Sequence, residues 1–495
     1  MKIRRKVLLI ILDGVGCNPN PEHNGIALAS IPFMKSMLAE YPHTTLEASG
    51  LAVGLPDNQM GSSEIGHALI GSGIVLEHDL VRISKACQDH SIEQIEPLQV
   101  LLAHAKKKGE LHLLGLVSDG GVHSHIEHLV ALITLANTLG IRPIVHAITD
   151  GRDTPPMTSI KYLERIDATC KGNGGMIASV SGRYYAMDRD NRVERTEKAY
   201  ATLTGDGVRT YASWLAGIQE SHANNVTDEF IEPFRVESSP YITKDSALLY
   251  FNFRVDRMRQ ISNKFHSLVS HAVSMTQIDP SLKVPYLFGE KKVATTLGKI
   301  ISDLGLNQLR CAESEKFAHI TYFFNNGKND PYEREERIII PSPKVASYDL
   351  APEMSAKEIT KTITGALTKG QHHFIAVNYA NGDMVGHTAN RPAILQAIEC
   401  LDNQLATVIS SAIKHNYSVV LTADHGNCDE MVDSNNQPHT QHSLHPVPCI
   451  VIDPEVTCLV EHSVNDGLKM ITPTICSLMG IDIPSEVEGR SLVDF

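Results

Sequence analysis

Two segments far apart in the chain carry residues that suit one metal centre. Near the N-terminus stand Asp13, directly after the apolar run Val7 to Leu12, and the pair Ser62-Ser63 in NQMGSSEIGH. Near the C-terminus stand Asp383 and His387 in NYANGDMVGHT, Asp424 and His425 in VVLTADHGN, and His442 in HTQHSLHPVP. Carboxylates, imidazoles and a hydroxyl in this combination suit two divalent cations sharing a serine nucleophile. Such a site performs phosphoryl transfer, because two metals can hold both the attacking and the leaving oxygen of an in-line displacement. Oxygen and imidazole donors favour Mn²⁺ or Zn²⁺, and the absence of nearby cysteines argues against a thiolate site. Any one of these acids or histidines alone reads as a cap or a satisfied loop residue; their joint recurrence after successive apolar runs does not.

The segment GLPDNQMGSSEIGHALIGSG places the two serines in a tight turn entering a helix near Glu64. A hydroxyl there faces backbone N–H groups and the positive end of the helix dipole, a good position to receive a phosphoryl group. One of the two serines is expected to be a plain N-cap. Spacing does not choose among His439, His442 and His445 as the last imidazole ligand. Gly71-x-Gly73 is no dinucleotide fingerprint, since Leu76 stands where a further glycine belongs.

The middle of the chain carries a different chemistry, in SDGGVHSHIEH, ITDGRDTPP, SGRYYAMDRDNRVER and YFNFRVDRMRQ. His123, Arg152, Asp153, Arg183, Arg189, Arg254 and Arg257 fall at or near the ends of apolar runs. Guanidinium forks bind carboxylate and phosphate bidentately, so these residues describe a pocket for a small, multiply anionic molecule. Arg192, Arg195 and Arg259 read as solvated surface groups. Asp153 is suited to general acid–base work on a substrate hydroxyl, with an ion pair to Arg152 as the competing account.

Short apolar runs alternating with helical patterns must position these groups, which predicts an α/β fold with mainly parallel sheets. Strands are expected over 7–12, 111–118, 143–149, 176–181, 247–253, 318–324, 374–379, 417–423 and 447–452. An amphipathic helix is expected over 393–413, where Ile394, Ile398, Leu401, Leu405, Val408 and Ile409 share one face. Nearly every polar cluster follows one of these strands, as expected of ligands bound outside the carboxyl ends of an open sheet. The metal set lies in the two outer portions and the arginines between them. We therefore expect a discontinuous domain, 1–76 and 292–495, interrupted by an inserted second α/β domain, 77–291, with linkers near 75–80 and 284–292.

With 495 residues, two domains are the natural expectation. A net charge of −13 argues against nucleic acid as a partner, so an anionic substrate must meet a local arginine cluster. Nine scattered cysteines without a C-x-x-C pair suggest reduced thiols in the cytoplasm. The basic start followed by Val7 to Leu12 is too short for a signal peptide, and no run approaches the roughly 20 apolar residues of a membrane span.

With these motifs in family order, the chain closely resembles the cofactor-independent (2,3-bisphosphoglycerate-independent) phosphoglycerate mutases of the alkaline phosphatase superfamily. The resemblance rests on LDGVG, QMGSSEIGH, SDGGVHSH, DGRDTPP, SGRYYAMDRD, FNFRVDR, SEKFAH, GDMVGHT and TADHGN, and spans essentially the whole length. It implies an alkaline-phosphatase-like metal domain with an inserted phosphotransferase domain. It also implies two divalent cations, Mn²⁺ in most bacterial members with Mg²⁺ possible, and no need for 2,3-bisphosphoglycerate. One metal would be held by Asp383, His387 and His442, the other by Asp13, Ser63, Asp424 and His425. Substrate contacts would come from His123, Arg152, Asp153, Arg183, Arg189, Arg254, Arg257 and Lys316. Ser63, Asp153 and Lys316 would be catalytic, and domain closure would keep water from the phosphoserine. The family's usual QMGNSE is QMGSSE here, which aligns Ser63 with the nucleophile. Its usual AHTTNPVP is QHSLHPVP, which aligns His442 with the ligand and adds His445 beside it. The expected reaction is interconversion of 2- and 3-phosphoglycerate by a cytoplasmic monomer that binds neither nucleic acid nor membrane. A phosphopentomutase or a metal-dependent phosphomonoesterase of the same superfamily is the alternative, although a phosphatase has no need to retain its dephosphorylated product.

Overall fold

A computed structural model describes residues 3–205, 208–291, 293–433, 435–463 and 466–495. The chain is mixed α/β, built on two sheets with largely parallel cores. It divides into two compact units, Met1–His78 with Lys291–Phe495, and Asp79–Glu290. Lys292, the expected first residue of the returning segment, lies outside the described residues.

The first unit holds a 7-stranded sheet in the order Glu335–Ile340, Gln308–Glu313, Phe374–Tyr379, Lys6–Leu12, Tyr417–Thr422, Val447–Ile452, His43–Leu46. The first five run parallel; Val447–Ile452 joins antiparallel to them, and His43–Leu46 pairs antiparallel with it in turn. Continuous apolar runs such as VLLIIL suit strands covered on both faces, and Val7 to Leu12 are all fully buried. The helix Arg391–Lys414 lays Ile394, Ile398, Leu401, Leu405, Val408 and Ile409 against this core.

The second unit holds an 8-stranded sheet in the order Tyr286–Phe288, His271–Thr276, Ala247–Tyr250, Glu110–Leu116, Arg142–Thr149, Met176–Gly182, Phe234–Val236, Thr210–Tyr211. Only the pairing of Met176–Gly182 with Phe234–Val236 is antiparallel. Alternating side chains feed two cores: Leu111 and Leu113 enter one, Leu114 and Leu116 the other.

One expected strand is wrong. Residues 318–324 do not form a strand; His319–Phe323 is a π-helical turn. The strand in that region is Gln308–Glu313, whose burial includes Gln308, Arg310 and Glu313 and so lacks an apolar run. Ile320, Thr321 and Phe324 of the turn are buried instead beneath the helix Ser63–Ser72. The approach is close enough that a Cβ on Gly71 would meet the Phe324 carbonyl oxygen at 2.0 Å.

Candidate metal centre and anion pocket

Four adjacent parallel strands of the first unit end on one edge, and each delivers chemistry there. Asp13 follows Lys6–Leu12, Asp424 and His425 follow Tyr417–Thr422, and the short helix Asn381–Gly386 carrying Asp383 follows Phe374–Tyr379. Lys316 follows Gln308–Glu313. Gly14 has φ +76°, and a Cβ there would sit 2.6 Å from the Asp383 backbone, so only glycine lets these two strand ends meet.

Ser62 is the N-cap of the helix Ser63–Ser72, its hydroxyl accepting from the Ile65 N–H at 3.4 Å. Ser63 is the first helical residue, and its Oγ points into the cluster. It lies 2.8 Å from His425 Nε2, accepts from Lys316 Nζ at 2.7 Å, and donates to Asp13 Oδ1 at 3.2 Å. The Lys316 ammonium also donates to Asp13 Oδ1 at 2.7 Å and to Asp383 Oδ2 at 2.6 Å. Burial opposes its charge, but Asp13, Asp383 and Asp424 prevail and raise its pKa.

The three imidazoles are each held from behind. His387 Nδ1 binds the Thr440 carbonyl at 2.7 Å, His442 Nδ1 the Gly61 carbonyl at 2.8 Å, and His425 Nδ1 the Gly426 carbonyl at 3.2 Å. A backbone acceptor on Nδ1 fixes the tautomer and leaves Nε2 free as a ligand. Nε2 of His387 and of His442 stand 3.1 and 3.3 Å from Asp383 Oδ1. Nε2 of His425 is 3.6 Å from both Asp13 Oδ1 and Asp424 Oδ2. Among the three histidines that spacing left open, His445 instead pairs with Asp429 at 2.8 Å, and His439 binds the Glu430 carbonyl at 3.1 Å.

The donor set fits divalent cations. Asp13, Asp383 and Asp424 are buried around the single ammonium of Lys316, leaving excess negative charge that the low-dielectric surroundings cannot screen. Asp424 Oδ2 is buried, with His67 Nδ1 3.1 Å away. Asp383, His387 and His442 form one group whose ligand atoms lie within 4.8 Å of one another. Asp13, Asp424 and His425 converge with Ser63 beside it. Two residues here escaped the sequence reading: His67, buried beside Asp424, and Asn378, whose amide donates to Asp13 Oδ2 at 2.7 Å. The first stands four residues after Ser63 in a helical stretch, a spacing that carries the signal.

In the second unit, four neighbouring parallel strands end on one edge: His123 follows Glu110–Leu116, Arg152 and Asp153 follow Arg142–Thr149, Arg183 and Arg189 follow Met176–Gly182, and Arg254 and Arg257 follow Ala247–Tyr250. Arg152, Arg183, Arg189 and Arg257 line a cavity of about 340 Å³, together with Tyr184, Asp188 and Glu229. Arg195, read as a solvated group, also lines it; its guanidinium pairs with Asp188 at 3.0 Å and covers the Tyr184 ring. Arg183 is buried and braces its neighbours, donating to Asp150 and Asp153 at 2.6 Å each and to His123 Nε2 at 3.0 Å. Burial and the Arg183 charge hold His123 down to about 4, so its ring is neutral at physiological pH. Asp153 thus pairs with Arg183, whereas Arg152 reaches Glu229 at 3.4 Å, so the competing account of Asp153 as the ion-pair partner of Arg152 is not what the structure has. Asp256 lies 3.3 Å from both Arg189 and Arg254. Burial and the neighbouring Arg189, Arg183 and Arg152 lower the Arg257 pKa, the mark of a cluster of like charges that an anion relieves.

A buried cation-ligating cluster at the carboxyl edge of a parallel sheet defines a metal-dependent enzyme, and the family model of the Metalloenzyme superfamily matches residues 5–483. A protein of Syntrophotalea carbinolica named 2,3-bisphosphoglycerate-independent phosphoglycerate mutase is 43% identical over 513 residues, covering 100% of this chain and 99% of that protein. One of the same name from Symbiobacterium thermophilum is 43% identical over 509 residues, covering 99% and 98%. Among solved structures, phosphoglycerate mutase of Leishmania mexicana, crystallised at low cobalt concentration, is 31% identical with TM-score 0.55, covering 99% of this chain and 97% of that one. The chain belongs to the 2,3-bisphosphoglycerate-independent phosphoglycerate mutase family of the metalloenzyme superfamily.

Proposed function

We propose that this protein interconverts 2- and 3-phosphoglycerate, in glycolysis and gluconeogenesis in the cytoplasm, through a phosphoserine on Ser63. The observation that carries the reading is the Ser63 hydroxyl, buried within 3.2 Å of Asp13, Lys316 and His425. Ser63 Oγ attacks phosphorus; the bond from phosphorus to the substrate oxygen breaks, and that oxygen takes a proton to become a glycerate hydroxyl. Asp13 Oδ1, 3.2 Å from Ser63 Oγ, is placed to accept the serine proton. Lys316 offsets charge on the phosphoryl oxygens. In the second unit, Arg152, Arg189, Arg254 and Arg257 hold the glycerate carboxylate and phosphate, braced by Arg183 and His123. Asp153 handles the proton of whichever hydroxyl leaves or attacks. The other hydroxyl then attacks the phosphoserine, restoring Ser63 and releasing the isomer.

Asp383, His387 and His442 would hold one divalent cation and Asp13, Ser63, Asp424 and His425 the other, with Mn²⁺ the expected occupant. When bound, the cations neutralise phosphoryl charge and lower the pKa of the serine hydroxyl.

An enolase-coupled assay with 3-phosphoglycerate and no bisphosphoglycerate tests this. Turnover that EDTA abolishes and Mn²⁺ restores is expected. Release of free phosphate without 2-phosphoglycerate would replace the mutase by a phosphatase.

A further inference from the structure

His67 is fully buried on the helix that begins at Ser63, yet it contributes no side chain to either proposed cation and touches no expected substrate group. Its two ring nitrogens have opposite partners. Nδ1 lies 2.8 Å from the Ser63 carbonyl oxygen, an acceptor, so this nitrogen carries the proton. Nε2 lies 3.0 Å from Asn378 Nδ2, a donor, so this nitrogen carries none. The second Asn378 N–H donates to Asp13 Oδ2 at 2.7 Å. A continuous chain therefore runs from the Ser63 backbone through His67 and Asn378 to the outer oxygen of Asp13. Asp13 Oδ1 is thereby turned toward Ser63 Oγ and Lys316. The same Nδ1 is also 3.1 Å from Asp424 Oδ2, so its proton is shared between the Ser63 carbonyl and that carboxylate.

We propose that His67 and Asn378 are positioning residues that act as one unit, fixing Asp13, Asp424 and the Ser63 backbone in the geometry needed by one of the two cations. This rests on the two-cation reading above. The ligand atoms of Asp13, His67 and Asp424 are close enough to surround an ion, but that role needs a bare Nδ1, and the Ser63 carbonyl requires a protonated one. His67 thus works as an outer partner of the ligands, where substitutions typically cost 10–100-fold in metal affinity.

The test is Mn²⁺ titration of the metal-stripped full-length protein by calorimetry, with bound Mn²⁺ counted at saturation. Wild type is expected to take two ions. His67→Ala and Asn378→Ala should each still take two, with one site weakened about 10–100-fold. The double variant should be no weaker than the worse single variant, because the pair acts together. His67→Asn, whose amide can reproduce the Nδ1 donor but not the Nε2 acceptor, should recover part of the lost affinity. Asn378→Ala preserves the helix residue, so the inference is testable even where His67→Ala fails to fold. Unchanged affinity at both sites in the Ala variants would overturn the proposal. One ion at saturation in His67→Ala and His67→Asn alike would overturn it in favour of a direct ligand. Wild type binding no Mn²⁺ or other divalent ion would instead remove the two-cation reading on which it stands.

Discussion

Adjacent serines have been given unlike work by their place at one helix start. Ser62 turns back to cap the helix, while Ser63, one residue further, presents its hydroxyl to Asp13, Lys316 and His425. Ser63→Ala is expected to eliminate mutase turnover. Ser62→Ala should keep much of it while lowering stability by about 1 kcal/mol through the lost cap. The reverse pattern in the coupled assay would move the nucleophile. A second expectation concerns protons at the Asp383 cluster. The hydrogen bond to Asp383 raises the His387 pKa; burial opposes a charge on His442, but Asp383 prevails there and raises it too. Both metal-free imidazoles therefore hold protons to a higher pH than an ordinary histidine near 6.5. A cation must displace those protons, so its affinity should fall as pH drops and begin to do so above 6.5. Calorimetric Mn²⁺ affinity that stays flat from pH 8 to 5.5 would contradict this.

Glycines decide how closely the elements bearing these groups approach. Gly14 combines φ +76° with a Cβ position 2.6 Å from the Asp383 backbone, whereas Gly305, at φ +68°, has nothing within 4 Å of its Cβ position. Gly305→Ala should cost only the left-handed backbone, about 1–2 kcal/mol. Gly14→Ala should cost more and also weaken Mn²⁺ binding. Equal losses in denaturant unfolding would show that the Asp383 contact is easily relieved. Elements were legible in the sequence where burial is apolar. The runs 374–379 and 447–452 coincide with observed strands, and the amphipathic stretch 393–413 lies within a helix of 24 residues. Gln308–Glu313 was not legible, because its buried Gln308, Arg310 and Glu313 are residues that pattern reading assigns to the surface. AHITYFF misled in the opposite sense: it is rich in β-formers, but tertiary packing winds it into a π-helical turn. Likewise the residue types of the candidate metal set could be read from spacing, whereas spacing did not separate His442 from His439 and His445; the motif resemblance favoured His442, the one of the three whose ring groups with Asp383 and His387.

At the scale of the whole chain, the candidate cation ligands and the arginine cavity fall in different compact units. Ligands that bind only the native state stabilise by mass action, about 2.7 kcal/mol at 100 times Kd. Scanning calorimetry should therefore resolve two transitions, with Mn²⁺ raising one and 3-phosphoglycerate, in EDTA, raising the other. A single transition moved by both ligands would mean that the units unfold together. Among the described residues, no helix is long and apolar enough to cross a membrane. Arg310 bears on the integrity of the larger assembly of strands. Its guanidinium is wedged between the Phe324 and Phe374 rings, and burial brings its pKa down to about 10, which leaves it cationic at neutral pH. Its guanidinium donates to Gln308 at 2.7 Å, and the nearby charge of Glu335, itself ion-paired to Arg337 at 2.6 Å, supports it; Glu335 begins the outermost strand, where Gln308 pairs with Glu335 and Arg310 with Arg337. A border strand is ordinarily the one most free to slide. Here a slip of two residues in one direction would move a hidden cation from beside Glu335 to opposite Ile339, so charge as well as oily packing holds the margin of the sheet in step.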